Sequence, residues 1–523
     1  MEIGLKEPTD RNIRPAHPAI YEINTWPWLD ELSREYGRIL TLDDVPDLHW
    51  DAIADLGINI LWLMGVWERS PAGVRIVMQN KGIMADLRRT LPDFSPADLV
   101  GSPYCVRNYR VDRRLGGPEA LATVRRKLAK RNIRLILDFV PNHVAPDHPW
   151  ITEHPEYLIQ GDRKDLRNDP GSFLEADDHI FARGRDPHYP AWPDVVQLNA
   201  FHPEMRRAMT GTILEIAGQC DGIRCDMAML VMNPVFSQTW RERAGRPPLG
   251  EYWPGMIQAT RHKHPYFIFI AEAYWNLEWQ LQQQGFDFCY DKRLYDRLEH
   301  GNAESVRLHL CAERSYQDKL VRFIENHDES RAAAAFSPQR ERAAAIAAAT
   351  IPGARLFHEG QFEGRKVRLP VFLGRRPAES PNMDIHAFYL NLLKILGSNC
   401  LKNGEWQLCE RTGWPDNASY ESLVAWIWKD DRERYLIAVN LSYTEAQAQV
   451  KLPWDGLAGG LWRLNDLFTG DVYETDGDML QQSGLYVDLP AWGFHVFSVT
   501  GPGPVKKCRR PSGFMASGTP PRR

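Results

Sequence analysis

No apolar run in this 523-residue sequence approaches the ~18 residues of a membrane span; the nearest is the alanine-rich stretch 343–351, which Pro352 ends. A soluble protein with no membrane partner is expected. The first ten residues are polar and charged, without the apolar stretch of a secretory signal, so secretion by that route is not expected. The eight cysteines (Cys105, Cys220, Cys225, Cys289, Cys311, Cys400, Cys409 and Cys508) include no CxxC and no matched cysteine and histidine spacing. They read as reduced, mostly buried thiols of a cytoplasmic protein. An excess of positive charge is missing too: 63 Lys and Arg stand against 68 Asp and Glu, a formal charge of −5, which supplies no field to hold nucleic acid. Histidines are few, and none falls in an HExxH pattern, which argues against metal-assisted hydrolysis.

What is present is a long globular chain, 43% hydrophobic and 25% charged, too large for one ordinary core. Its 18 Trp and 18 Tyr suit the apolar faces of sugars, although the same rings serve equally well in a large core. Short apolar runs, each followed by a helix-like stretch, recur at 19–25, 58–64, 133–140, 222–226, 266–272, 286–290, 320–324 and 354–358. Eight such repeats predict an α/β fold, a closed (β/α)8 TIM barrel, with helices near 50–56, 119–131, 203–219 and 340–350. The barrel is expected to occupy 1–400. The stretch 145–199, rich in Asp, Pro, His and Gly, is expected to form an irregular insertion after strand three, over the barrel mouth. Strand-like runs at 423–428, 435–440, 461–464 and 493–499 predict a C-terminal antiparallel β domain, a sandwich spanning 401–500. Residues 501–523, with six Lys or Arg and little to bury, read as a disordered basic tail.

Four strands end in acidic residues. Strand three runs into Asp138, Asn142 and His143, strand four into Arg224-Cys-Asp226, strand five into Glu272, and strand seven into Asn326-His327-Asp328. One such acid can belong to a structural ion pair. Four change the reading, because parallel barrel strands deliver their C-terminal ends to one face. Asp138, Asp226, Glu272 and Asp328 would converge there with Arg224, His143 and His327. Crowded like charges raise at least one pKa, so that a protonated acid and an ionised carboxylate coexist near neutral pH. Glycoside cleavage needs that combination: one carboxylate attacks the anomeric carbon while a carboxylic acid protonates the leaving oxygen.

These four segments, with Ser102-Pro-Tyr104 ahead of strand three and the terminal β domain, resemble the α-amylase family of retaining α-glycosidases and transglycosylases, glycoside hydrolase family 13. The resemblance implies Asp226 as nucleophile, Glu272 as general acid and base, and Asp328 as the transition-state stabiliser that also binds sugar hydroxyls. It implies that Arg224 orients Asp226, that His143 and His327 bind hydroxyls, that Tyr104 stacks under the sugar, and that Asp138 belongs to the same substrate-binding group. Asn142 stands where some relatives bind structural calcium, and the same amide can equally pin its loop; no cofactor is required by the chemistry. Trp192, Asp194, Gln197 and Asn199 resemble a further family region that either shapes the pocket or closes the insertion. Glu359, in the closing loop 357–361, either touches substrate or satisfies its own loop.

One departure bears on substrate. Many relatives carry a Lys-His pair after the nucleophile, whereas Asp226 is followed here by Met227, Ala228, Met229 and Leu230. That apolar rim fits a short or unusual leaving group, a transfer acceptor, or a different wall. The expected function is a retaining α-glucoside or α-glucan hydrolase or transglycosylase, working on an oligosaccharide or small α-glucoside. The alternatives are an isomerase, phosphorylase or transferase on sucrose, trehalose or maltose, and, with less support, a non-catalytic sugar-binding protein.

Overall fold

The computed structural model describes residues 15–501. The polar N-terminal stretch, Cys508 and nearly all of the basic tail lie outside the described residues. Eight parallel strands close the barrel: β1 (Ala19–Asn24), β2 (Ile60–Met64), β3 (Arg134–Phe139), β4 (Gly222–Cys225), β5 (Ile268–Ala271), β6 (Phe288–Tyr290), β7 (Leu320–Arg322) and β8 (Ala354–His358). Each pairs with its sequence neighbours, and β1 pairs with β8 to shut the ring. The eight apolar runs of the sequence are these eight strands.

The strands are buried on both faces, which is why they read as continuous apolar runs and not as alternating ones. Alternate residues still divide the work. Ile20, Ile60, Trp62, Ile136, Ile268 and Leu356 fill the barrel, while Leu61, Leu135, Leu137 and Phe269 pack outward against the helices. The expected helices are Asp47–Asp55, Gly117–Lys130, Pro203–Ala217 and Pro338–Ala349. The last begins at a Ser337 cap followed by proline, and its alanines let it pack closely on both sides.

Two long connections stand over the C-terminal face of the barrel. The insertion after β3 enters and leaves on paired strands, His143–Val144 against Val196–Gln197, and carries a hairpin of Phe173–Ala176 with His179–Ala182. The connection after β2 holds helices Pro71–Gln79 and Lys81–Thr90, which the sequence reading did not anticipate.

Beyond β8, helix Met383–Leu396 leads to two antiparallel sheets, one of six strands and one of three. The six-stranded sheet is covered on both sides. In Leu423–Lys429, Leu423, Ala425 and Ile427 face the smaller sheet, and Val424, Trp426 and Trp428 face the barrel. Trp426 and Trp428 both donate their indole N–H to the Thr350 carbonyl, at 3.0 and 2.6 Å, at the end of helix Pro338–Ala349. Trp426→Ala is therefore expected to lower unfolding free energy by about 3–5 kcal/mol, read by urea denaturation. A loss below about 1 kcal/mol would contradict this account of the junction.

Candidate active site

Asp226 and Glu272 each stand one residue past the end of a barrel strand, at the place where the sheet hydrogen bonding gives out. Their backbones remain tied to the neighbouring strands: Asp226 N–H donates to the Phe139 carbonyl at 2.8 Å and Glu272 N–H to the Cys225 carbonyl at 3.0 Å. Arg224, two residues before Asp226 and so on the same face of β4, points into the barrel. One terminal nitrogen donates to Asp226 Oδ1 at 2.8 Å, and the other lies 2.8 Å from Glu272 Oε2 as an ion-pair contact without hydrogen-bond alignment. The guanidinium is 1% exposed and boxed by the rings of Trp62, Tyr104 and Tyr290 at 5.2–5.6 Å. Its Nε also donates to the Tyr290 hydroxyl at 3.4 Å.

Protonation follows from this packing. Burial, with the charges of Asp226 and Asp328 adding to it, pushes Glu272 up to about 7, although Arg224 and the Met227 N–H at 2.6 Å favour its anion. Tyr274 donates its hydroxyl to Glu272 Oε1 at 3.0 Å. Burial raises Asp226 as well, opposed by Arg224. Arg224 gives its aligned hydrogen bond to Asp226 and not to Glu272, which favours the Asp226 anion, while burial favours the protonated form of Glu272.

Asp328 sits between the cleft and a buried relay. His327 lies against Asp328 Oδ2 at 2.9 Å through Nε2, which also meets the Tyr104 hydroxyl at 2.6 Å, while Nδ1 meets Glu22 on β1. Burial works against the imidazolium, yet the two flanking carboxylates raise His327 well above its usual range. The Asp328 side chain is 44% exposed to water inside the cleft while protein surrounds it. That surrounding raises its pKa, and the His327 charge more than offsets it, bringing Asp328 to about 2.

The cleft above these groups measures about 630 Å³ and is lined by Tyr104, His143, Asp226, Glu272 and Asp328, together with Trp192 and Asp194 of the insertion. Burial lowers His143 to about 4, so it presents a neutral ring. Asp138 differs from expectation: it is fully buried beneath the cleft, where Trp62 Nε1 and Gly65 N–H donate to its two oxygens at 3.1 and 2.8 Å, and burial raises it to about 6. It supports the floor and does not line the cleft. Glu359 turns away as well, onto Arg376, which outweighs its burial and holds it near 2.

Asn142 and Gln197 exchange amide contacts at 2.9 and 3.2 Å, so the Asn142 oxygen is already taken by a donor. Among the described residues no group of three or more His, Cys, Asp or Glu is arranged to hold a metal. The amide pair pins the loop after β3 to the insertion strand Val196–Gln197. Sequence reasoning missed Glu22, Tyr274 and Lys292. Glu22 carries a legible signal, an acid inside the apolar strand AIYEIN; Tyr274 sits in the loop after β5 and Lys292 opens the helix Lys292–His300 after β6, and neither stands out against its neighbours in the sequence. A larger cavity of about 940 Å³ lies at the other end of the barrel, lined by Asn59, Arg125, Lys263 and His264. None of the clustered acids reaches it.

Fold and cluster together define a (β/α)8 barrel with a carboxyl site at its C-terminal face. The family is then given by direct comparison: the model of the α-amylase catalytic domain matches residues 45–367, and the chain belongs to that family. Alpha-amylase MalA of Haloarcula japonica is 26% identical over 254 residues, covering 46% of this chain and 33% of that protein. The alpha-1,4-glucan:maltose-1-phosphate maltosyltransferase of Picrophilus torridus is 24% identical over 252 residues, again 46% of this chain and 33% of the relative. The matched stretch thus spans about a third of these curated relatives. Among solved structures, the noncanonic maltogenic alpha-amylase AmyB from Thermotoga neapolitana has a TM-score of 0.65 at 19% identity, covering 92% of this chain and 98% of that one. An alpha-amylase from Lactobacillus plantarum reaches 0.64 at 19%, with 92% and 99% covered.

The raised Glu272 makes stability depend on pH. Its folded value of about 7 lies above the ordinary 4.5, so its contribution is full below 4.5 and is lost as pH rises through 7. Glu272→Gln does not ionise. Its Tm relative to the parent is expected to climb from about pH 5 to about pH 8, followed by calorimetry. A difference that stays flat across that range would contradict the assignment of the proton to Glu272.

Proposed function

We propose that this protein is a retaining enzyme of α-glucosidic bonds, a hydrolase or transglycosylase of oligosaccharides or small α-glucosides. The observation that carries the reading is the pair Asp226 and Glu272 on adjacent strands, both in contact with the one buried Arg224, with Glu272 raised to about 7 by burial. Asp226 attacks the anomeric carbon as the glycosidic C–O bond breaks, and Glu272 gives its proton to the departing oxygen. A glycosyl ester on Asp226 results. Glu272, now ionised, takes a proton from water or an acceptor hydroxyl as that oxygen attacks the same carbon and frees Asp226. Asp328, kept anionic by His327, binds sugar hydroxyls and faces the positive charge that develops on the ring. His143 and Tyr104 supply a neutral ring nitrogen and an aromatic face to the same sugar.

Transfer stays within the reading for two reasons. Of the turn after the nucleophile only Met227 lines the cleft, an apolar side chain beside Glu272, while Ala228–Val231 are buried in the core. One relative is named as a maltosyltransferase. The isomerase, phosphorylase and small-glucoside transferase alternatives use the same carboxyl groups and differ in the acceptor. No helix among the described residues is long and apolar enough to cross a membrane. The seven described cysteines are all free, which supports a reducing cytoplasm as the setting.

Asp226→Asn and Glu272→Gln, assayed on maltooligosaccharides, sucrose and trehalose with and without phosphate, are each expected to lower kcat at least about a thousandfold with the fold intact by circular dichroism. Retained turnover in either purified variant would remove that residue from the mechanism. Sugar binding without turnover in the unmodified protein would favour the non-catalytic alternative.

A further inference from the structure

Two loops outside the carboxyl cluster meet over one side of the cleft. Helices Pro71–Gln79 and Lys81–Thr90 follow β2, and the segment 366–376, without regular structure, follows β8. The two are laced together. Val100 and Gly101 N–H donate to the Phe372 carbonyl at 2.9 and 3.3 Å, and Gly374 N–H donates to the Asp98 carbonyl at 2.8 Å. Arg375 reaches both oxygens of Asp98 at 2.5 and 3.0 Å. A Cβ added at Gly374 would stand 2.7 Å from a Val100 methyl, so only glycine lets the strap lie this close. Val77, Leu87, Leu91 and Leu373 form a small core beneath, separate from the core of the barrel. A core and a hydrogen-bond ladder of its own make this a fixed wall and not a mobile lid.

The wall bounds the cleft on a definable side. Ile83, Val371 and Phe372 line the cleft, and Arg368 of the same strap donates to the Asp328 backbone carbonyl at 2.7 Å. Glu272, by contrast, is flanked by Met227 and Tyr274. The acid protonates the leaving oxygen, so the leaving group lies on the Glu272 side. The Asp328 side holds the sugar under attack and whatever is joined to its non-reducing end.

We propose that the hairpin 71–101 and the strap 366–376 close this glycone side, so that the enzyme takes short α-glucosides and the non-reducing ends of α-glucans and does not cut within a chain. The proposal rests on the α-glucosidic reading above. It is tested with maltose, maltoheptaose, and maltoheptaose whose non-reducing terminal glucose carries a 4,6-O-benzylidene group, each followed by chromatography beside an Asp226→Asn blank. The blocked heptaose is expected to be consumed at least roughly a hundredfold more slowly than the faster of the two free sugars. In Ile83→Ala/Phe372→Ala the penalty for the block is expected to shrink by about tenfold or more, and Ile83→Ala alone is expected to shrink it in part. Comparable consumption of blocked and free heptaose would overturn the proposal, as would an unchanged penalty in a variant that still consumes the free sugar. Turnover of none of the three, nor of sucrose or trehalose, would instead sink the α-glucosidic reading on which it stands.

Discussion

The Arg224 guanidinium, enclosed in the barrel and facing both Asp226 and Glu272, is the contact on which the site depends. Two carboxyl groups at 5% and 2% exposure would otherwise be costly to keep together, because a buried charge without a partner loses several kcal/mol of hydration. The cation favours the anion of both acids, most directly Asp226 through its aligned hydrogen bond, while burial raises Glu272. It is itself held by geometry: β4 and β5 are paired in register from Gly222 and Ile268 to Cys225 and Ala271, and aromatic rings fill the space around it. Closure of the barrel is thus a condition of the chemistry as well as of stability.

A second line of charge runs through Glu22, His327 and Asp328 across β1 and the β7 loop. Signs alternate along it, so each group stabilises the charged form of the next. The outcome is a division of states within one cleft: Asp328 near 2, Glu272 near 7, and His143 neutral. Environment, not residue type, separates the two acids. The loops then decide what reaches them, through the insertion after β3 on one side and the laced wall on the other.

Much of this was legible in the sequence because buried parallel strands write themselves as short apolar runs, and the acids that end them stand out against that background. All eight strands, the insertion and the convergence of Asp226, Glu272 and Asp328 were readable in this way. Asp138 misled because a strand-end acid looks the same whether it faces substrate or, as here, accepts from Trp62 and Gly65. Strands such as Ala446–Lys451, AQAQVK, escaped because only alternate small residues are buried and the rest face water. Helices Pro71–Gln79 and Lys81–Thr90 escaped because each buries only two residues, too short a stripe to show a helical period. Glu22 was overlooked although its charge interrupts an apolar strand, and its partner His327 lies 305 positions away.

The central claim is that Asp226 forms a covalent glycosyl intermediate, so that the α configuration is kept by two inversions. The most direct measurement is proton NMR of the first-formed anomer from a chromophore-free α-glucoside that the enzyme turns over, with Asp226→Asn as the blank. The account predicts that the α anomer appears first and that the blank produces none. A β anomer appearing first would contradict it, because a single displacement by water would then be the route and Asp226 could not be the nucleophile.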